Sequence, residues 1–137
     1  ADGGAKLMKF GKVIQDLLDE HSENPAMKEF TDPLAALTQK VQKLTGEIAV
    51  KAMANPDEAG AAAVPYLRVI GHLVFSFSWC HAAGVAMRKL DSGDPFYQAK
   101  LMTARFYFAK LYPEARAMID QARTGSAPLM EMDASLF

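Results

Sequence analysis

Val69-Ile-Gly-His-Leu-Val-Phe-Ser-Phe-Ser-Trp-Cys-His-Ala-Ala-Gly-Val-Ala-Met87 is a run of 19 residues without one Asp, Glu, Lys or Arg. On count alone it is long enough to span a bilayer. Its content points elsewhere. His72, His81, Ser76, Ser78, Gly71 and Gly84 are costly or weak contributors in a lipid-facing helix, and Arg68 stands immediately outside the run. The stretch reads as the central, all-round buried helix of a bundle.

Working outward, four Asx-Pro pairs punctuate the chain: Asn24-Pro25, Asp32-Pro33, Asn55-Pro56 and Asp94-Pro95. Three of them read as helix starts, because an Asn or Asp side chain accepts from an orphan N–H and a following proline lacks only a donor that would be unpaired anyway. The apolar run then belongs to a third helix from about Pro56 to Leu90, with Pro65 in its interior as a kink or break. Asp57 and Glu58 fall in its first turn, where the helix dipole favours negative charge.

The other segments carry apolar residues at helical spacing. Leu7, Phe10, Ile14 and Leu17 form one seam, with Lys9, Lys12, Asp16, Asp19 and Glu20 opposite. A second helix, of roughly 22 residues, repeats the step with Leu34, Leu37, Val41, Leu44 and Ile48. The fourth, from Pro95 to about Thr124, carries it through Tyr97, Leu101, Ala104, Phe108, Leu111, Ala115, Met118 and Ala122, with Pro113 inside and Gly125 as its stop. Nothing alternates with period two over a strand's length. The predicted fold is all-α, an up-and-down antiparallel four-helix bundle occupying residues 1–137 as one domain.

The chain's 137 residues are half hydrophobic, and its 15 basic side chains nearly balance 16 acidic ones. A chain of this size buries roughly 68% of its extended surface, so an ordinary core suffices. The charge balance argues against nucleic acid as the main partner. Cys80 is the only cysteine, which excludes an internal disulfide and fits a reducing compartment. Ala1 to Lys12 carries three lysines and three glycines without the apolar core of a secretory signal.

Catalytic chemistry finds no foothold. His72 and His81 are nine apart, on opposite faces of one helix, and neither has a carboxylate three or four residues away, so no metal site is expected. His21 lies in a polar loop and reads as solvent exposed. Cys80 and His81 are adjacent, about 100° apart on a helix, and cannot form a nucleophile–base pair; a buried, inert thiol is expected. Asp2-Gly3-Gly4-Ala5 lacks the preceding strand and the spacing of a dinucleotide fingerprint.

Two faces stand out. Arg68, His72 and Trp79 share one stripe of the third helix, with Phe75 near. They form either a buried polar pair satisfied by a neighbouring helix, with Trp79 as core filler, or a ligand-lining face suited to a small anion in a free-standing binding or adaptor module. On the last helix Ala99, Met102, Phe106 and Ala117 lie opposite the seam, flanked by Lys100, Arg105, Lys110 and Arg116, cations read as solvated. Met102 and Phe106 centre a second packing surface, covered either by the first helix or by another domain or subunit.

Asp94-Pro-Phe-Tyr-Gln-Ala-Lys-Leu-Met-Thr-Ala-Arg-Phe-Tyr-Phe-Ala-Lys-Leu-Tyr-Pro-Glu114 resembles the signature helix of the C-terminal extension in one branch of the acyl-CoA dehydrogenases. Tyr66-Leu-Arg-Val-Ile-Gly-His72 with Trp79, the opening Asp2-Gly3-Gly4, and Leu129-Met130 with Phe137 are also similar to that extension. The branch includes 3-methylmercaptopropionyl-CoA dehydrogenase-like enzymes. The resemblance implies a parent enzyme whose three preceding domains, helical, β and helical, bind FAD and oxidise an acyl-CoA thioester to the 2,3-enoyl-CoA. In such enzymes a carboxylate takes the α proton and the flavin N5 the β hydride; neither the flavin-binding regions nor a matching Glu occurs in this chain. The likeness therefore implies an accessory domain for interdomain or subunit packing, without catalytic groups, cofactor-binding residues or a membrane span of its own. The implied parent is cytoplasmic and homo-oligomeric.

Overall fold

A computed structural model describes residues 4–137, so the opening Asp2 and Gly3 lie outside the described residues. The chain forms α1 (Ala5–Glu20), α2 (Lys28–Ala54), α3 (Asp57–Arg88), α4 (Pro95–Phe106), a π-helical turn at Tyr107–Leu111, α5 (Glu114–Arg123) and a short α6 (Ala127–Met130). No strand occurs among the described residues. The architecture is the expected all-α bundle.

Alpha3 is its centre. Val69, His72, Leu73, Ser76, Cys80, Ala83 and Ala86 are buried along it against α2, α4 and α5. Among the described residues it is the helix with the length and apolarity to cross a bilayer by composition. Contrary to what the uncharged run suggests, it is not buried all round: one side packs on the neighbouring helices, while Val64, Leu67, Val74 and Phe75 are exposed. Pro65 neither ends nor interrupts it. The donor that Pro65 lacks is a single one, and the buried Ala62 and Val69 seat the turns on either side.

The first two seams hold. Ile14 and Leu17 of α1 are buried, as are Leu34, Leu37, Val41 and Leu44 of α2. The second helix, however, starts earlier than its Asp32-Pro33 pair suggests: α2 begins at Lys28 and runs 27 residues, with Pro33 in its interior. Phe30 and Leu34 are fully buried on either side of the proline. Their burial is worth about 1.5–3 kcal/mol each, enough to outweigh the roughly 3 kcal/mol of an interior proline. The Asx-Pro cap that does act there is Asn24, whose Oδ1 accepts from the Ala26 N–H at 3.1 Å at the head of a single 3-10 turn leading into α2.

The last helix is likewise not continuous. Between Phe106 and Glu114 the backbone widens into the π turn, where the Tyr112 N–H donates to the Tyr107 carbonyl at 2.9 Å. Pro113, which has no N–H and whose ring crowds the carbonyl four residues back, then opens α5. The consequence is a local rewriting of the seam. Tyr107 is buried and Tyr112 half-buried, with its hydroxyl donating to the Pro33 carbonyl at 2.7 Å, whereas Leu111 is exposed. Gly125 terminates α5 as expected, with φ at +81° in the left-handed region that glycine adopts without strain.

His21 corrects another expectation: it is buried, not solvent exposed. It caps the C-terminus of α1 and lays its ring on Gly84 of α3, where no Cβ stands in the way.

Candidate functional site

The polar centre of the molecule forms where α3 meets the π turn and α5. Arg68 and His72 stand one turn apart on the same face of α3. Across from them is Glu114, in the first turn of α5, a position the helix dipole favours for a carboxylate. Arg68 Nη2 donates to Glu114 Oε1, and His72 Nε2 lies 2.6 Å from Glu114 Oε2. A carboxylate can only accept, so Nε2 carries the hydrogen of that bond.

The other ring nitrogen is also engaged. His72 Nδ1 lies 3.1 Å from the Tyr107 hydroxyl, which itself donates to the His72 backbone carbonyl at 3.0 Å and sits 3.3 Å from Ser76 Oγ. The π turn is what aims Tyr107 inward at this depth. Burial pushes the Tyr107 phenol above its ordinary pKa, while His72 and then Arg68, hydrogen-bonding to the charged form of Glu114, hold that carboxyl below the usual carboxylate range.

The cleft outside this network is lined by Arg68, Gly71, His72, Phe75 and Glu114 and measures about 180 Å³. That is below the roughly 300–1,000 Å³ of small-molecule sites. Trp79 does not line it: the indole is half-buried and packs on the core further along α3. Glu114 occupies the position a small anion would need between Arg68 and His72. The cluster therefore ties α3 to α5 and leaves its imidazole, phenol and carboxylate mutually satisfied. Glu114 lies 42 positions from His72, beyond any pattern of carboxylates on the histidine's own helix; the available signal was an acid just after Pro113, at the start of an antiparallel neighbour.

Cys80 and His81 do not form a pair. Cys80 is fully buried and its thiol is pushed up to about 12 by desolvation. His81 lies on the outer side of α3, stacked on Phe77. Among the described residues no three His, Cys, Asp or Glu side chains gather as metal ligands.

The second stripe is open to solvent. Met102 is 62% and Phe106 55% exposed, and Ala99 and Ala117 are exposed beside them. The first helix does not cover them; it packs instead on α2 and α3, with Phe10 edge-on to Phe77 at 5.4 Å. Of the flanking cations, Arg105 is not merely solvated, for it reaches Glu29 of α2 through Nε at 2.9 Å and Nη2 at 2.7 Å.

The polar centre is thus self-satisfied, and the Met102–Phe106 stripe stands uncovered. The family described as acetyl-CoA dehydrogenase C-terminal like matches residues 10–133, nearly the whole chain, and the chain belongs to that family. No curated protein matches the sequence.

Proposed function

We propose that this chain is the accessory C-terminal helical domain of an FAD-dependent acyl-CoA dehydrogenase of the branch that includes 3-methylmercaptopropionyl-CoA dehydrogenase-like enzymes. In this reading it packs against the flavin-binding domains of the same polypeptide or a neighbouring subunit of a cytoplasmic homo-oligomer. The observation that carries it is the family match combined with the exposed Met102 and Phe106 on α4. An isolated bundle gains nothing from presenting a methionine and a phenylalanine to water beside three further cations, whereas a docking face uses all of them.

FAD belongs to the other domains in this proposal. In this reading the chain contributes no step of the acyl-CoA oxidation. Its contribution is positional, holding the dehydrogenase domains or subunits together.

The test is association. Phe106→Glu should weaken co-elution of this chain with the flavin-bearing domains on gel filtration by about tenfold or more, while its thermal unfolding stays within a few degrees of the parent. Unchanged association, with stability lost instead, would show Phe106 to be a stability residue and sink the docking role.

A further inference from the structure

Away from the Met102–Phe106 stripe, the surface holds two apolar features of opposite charge. The first is a groove of about 340 Å³ between α1 and α2, lined by Gly4, Leu7, Met8, Gly11, Gln42 and Thr45. Met8 is 70% exposed, and a Cβ built at Gly11 would meet nothing within 4 Å among the described residues. Lys12 follows Met8 by one turn of α1, and Lys6, Lys9 and Lys12 are all exposed on that helix. Residues 4–15 contain no carboxylate. This end of α1 is purely basic.

The second feature is the segment Ala127–Phe137. Leu129, Met130, Met132, Leu136 and Phe137 are all exposed, Phe137 at 95%. The segment carries Glu131 and Asp133 and no Lys or Arg. It starts from a fixed root: Ser126 Oγ donates to Glu58 Oε1 at 2.7 Å and accepts from Asn55 Nδ2 at 3.4 Å. Asn55 follows α2 ten residues after Thr45, about 15 Å along the helix axis. Root and groove thus lie toward the same end of the bundle, and eleven residues span up to roughly 36 Å. In the folded chain the segment turns into α6 and a 3-10 turn at Ala134–Leu136, and the residues lining the groove include none of it.

We propose that Ala127–Phe137 of one copy docks into the α1–α2 groove of a second copy, and that two copies exchange these segments reciprocally about a two-fold axis. The apolar side chains enter the groove, and Glu131 and Asp133 meet the lysines of α1. A reciprocal contact is self-complementary, so each surface is used once per copy and the assembly closes as a dimer. The proposal stands on surfaces other than the α4 face, and it survives or fails independently of the dehydrogenase reading.

Sedimentation equilibrium on the 137-residue chain decides it. The expected result is a dimer at micromolar concentration that dissociates as salt is raised. Met8→Glu in the groove, and Leu129→Glu with Met130→Glu in the segment, should each weaken dimerisation by about tenfold or more, with helical circular dichroism retained. Reversing the lysines (Lys6→Glu, Lys9→Glu, Lys12→Glu) or the acids (Glu131→Lys, Asp133→Lys) should abolish self-association, and mixing the two reversed chains should restore it. A monomer at tens of micromolar overturns the proposal, as does a dimer indifferent to these changes, failure of the mixed chains to pair, or a monomer whose segment resists protease because it docks in its own groove.

Discussion

A methyl group added to Gly84 would come within 2.6 Å of His21 Nε2 and 2.9 Å of its Cε1. Alanine normally improves a helix interior over glycine by about 0.5–1 kcal/mol, but here the buried His21 ring would have to leave its seat on Gly84 and move into the cleft that the two residues line. Gly84→Ala is therefore expected to lower stability by about 1–3 kcal/mol in urea unfolding. In a His21→Ala background the same substitution should regain the ordinary helical benefit, because the clash is gone. Gly60→Ala, with nothing within 4 Å of its Cβ, should be neutral or stabilising in either background.

Glu114 sets a second residue-level expectation, this time on pH. Its folded pKa lies below the ordinary 4.5 because His72 and Arg68 favour the charged form. Stabilisation from such a group is fully present above 4.5 and is lost as pH falls through the lower folded value. The melting temperature of the parent should therefore drop on acidification below 4.5 more steeply than that of Glu114→Gln. Glu47, held down by Arg123, and Glu58, held down by Ser126, keep part of the acid limb in both proteins. Parallel pH profiles for the two proteins would show that the Glu114 pairing adds nothing to folding. The α3 half of this cluster was legible in the sequence as a stripe containing Arg68 and His72. Its carboxylate and phenol were not, because their proximity depends on how α5 and the π turn pack across α3.

At the level of elements, similar dipeptides have different fates. Asp94-Pro95 opens α4, and Asp94 Oδ1 accepts from the Phe96 N–H at 2.9 Å. Asp32-Pro33 has the same local chemistry but lies inside α2, where Asp32 caps nothing. Asp94→Ala is accordingly expected to cost about 0.5–2 kcal/mol. Asp32→Ala should stay within about 0.5 kcal/mol of the parent, as exposed substitutions away from such features do. Equal effects in chemical denaturation would contradict the assigned start of α2. The contrast shows why boundaries were harder to read than helices: a cap is a local preference of about a kilocalorie, and the burial of Phe30 outweighs it. The π turn is similar. The periodic seam predicted Leu111 inside, yet Pro113 locally breaks the α-helical ladder that the seam assumed, and Tyr107 and Tyr112 take the inward positions.

For the whole molecule, Cys80 reports on the integrity of the bundle. Its thiol is fully buried in the C-terminal half of the central helix and is pushed up to about 12. A thiol reagent should therefore leave the native chain unlabelled and modify it only at the rate at which the core opens. Gly84→Ala should accelerate labelling in proportion to its lost stability. Rapid labelling of the parent under native conditions would mean that α3 is not held as described.

The sequence by itself determined that this chain is helical, which faces of α1 and α2 turn inward, and which family its motifs resemble. Helical periodicity is written within a few turns of chain, and a run such as residues 69–87 admits few other uses. Only the tertiary structure decided that Arg68 and His72 close on Glu114, that Arg105 reaches Glu29, that the Tyr66 hydroxyl meets Thr45 at 2.7 Å, and that His21 rests on Gly84. These pairs come from different helices, up to 76 positions apart. Their meeting depends on interhelical packing and on the turn before Pro113, which no local pattern of residues encodes.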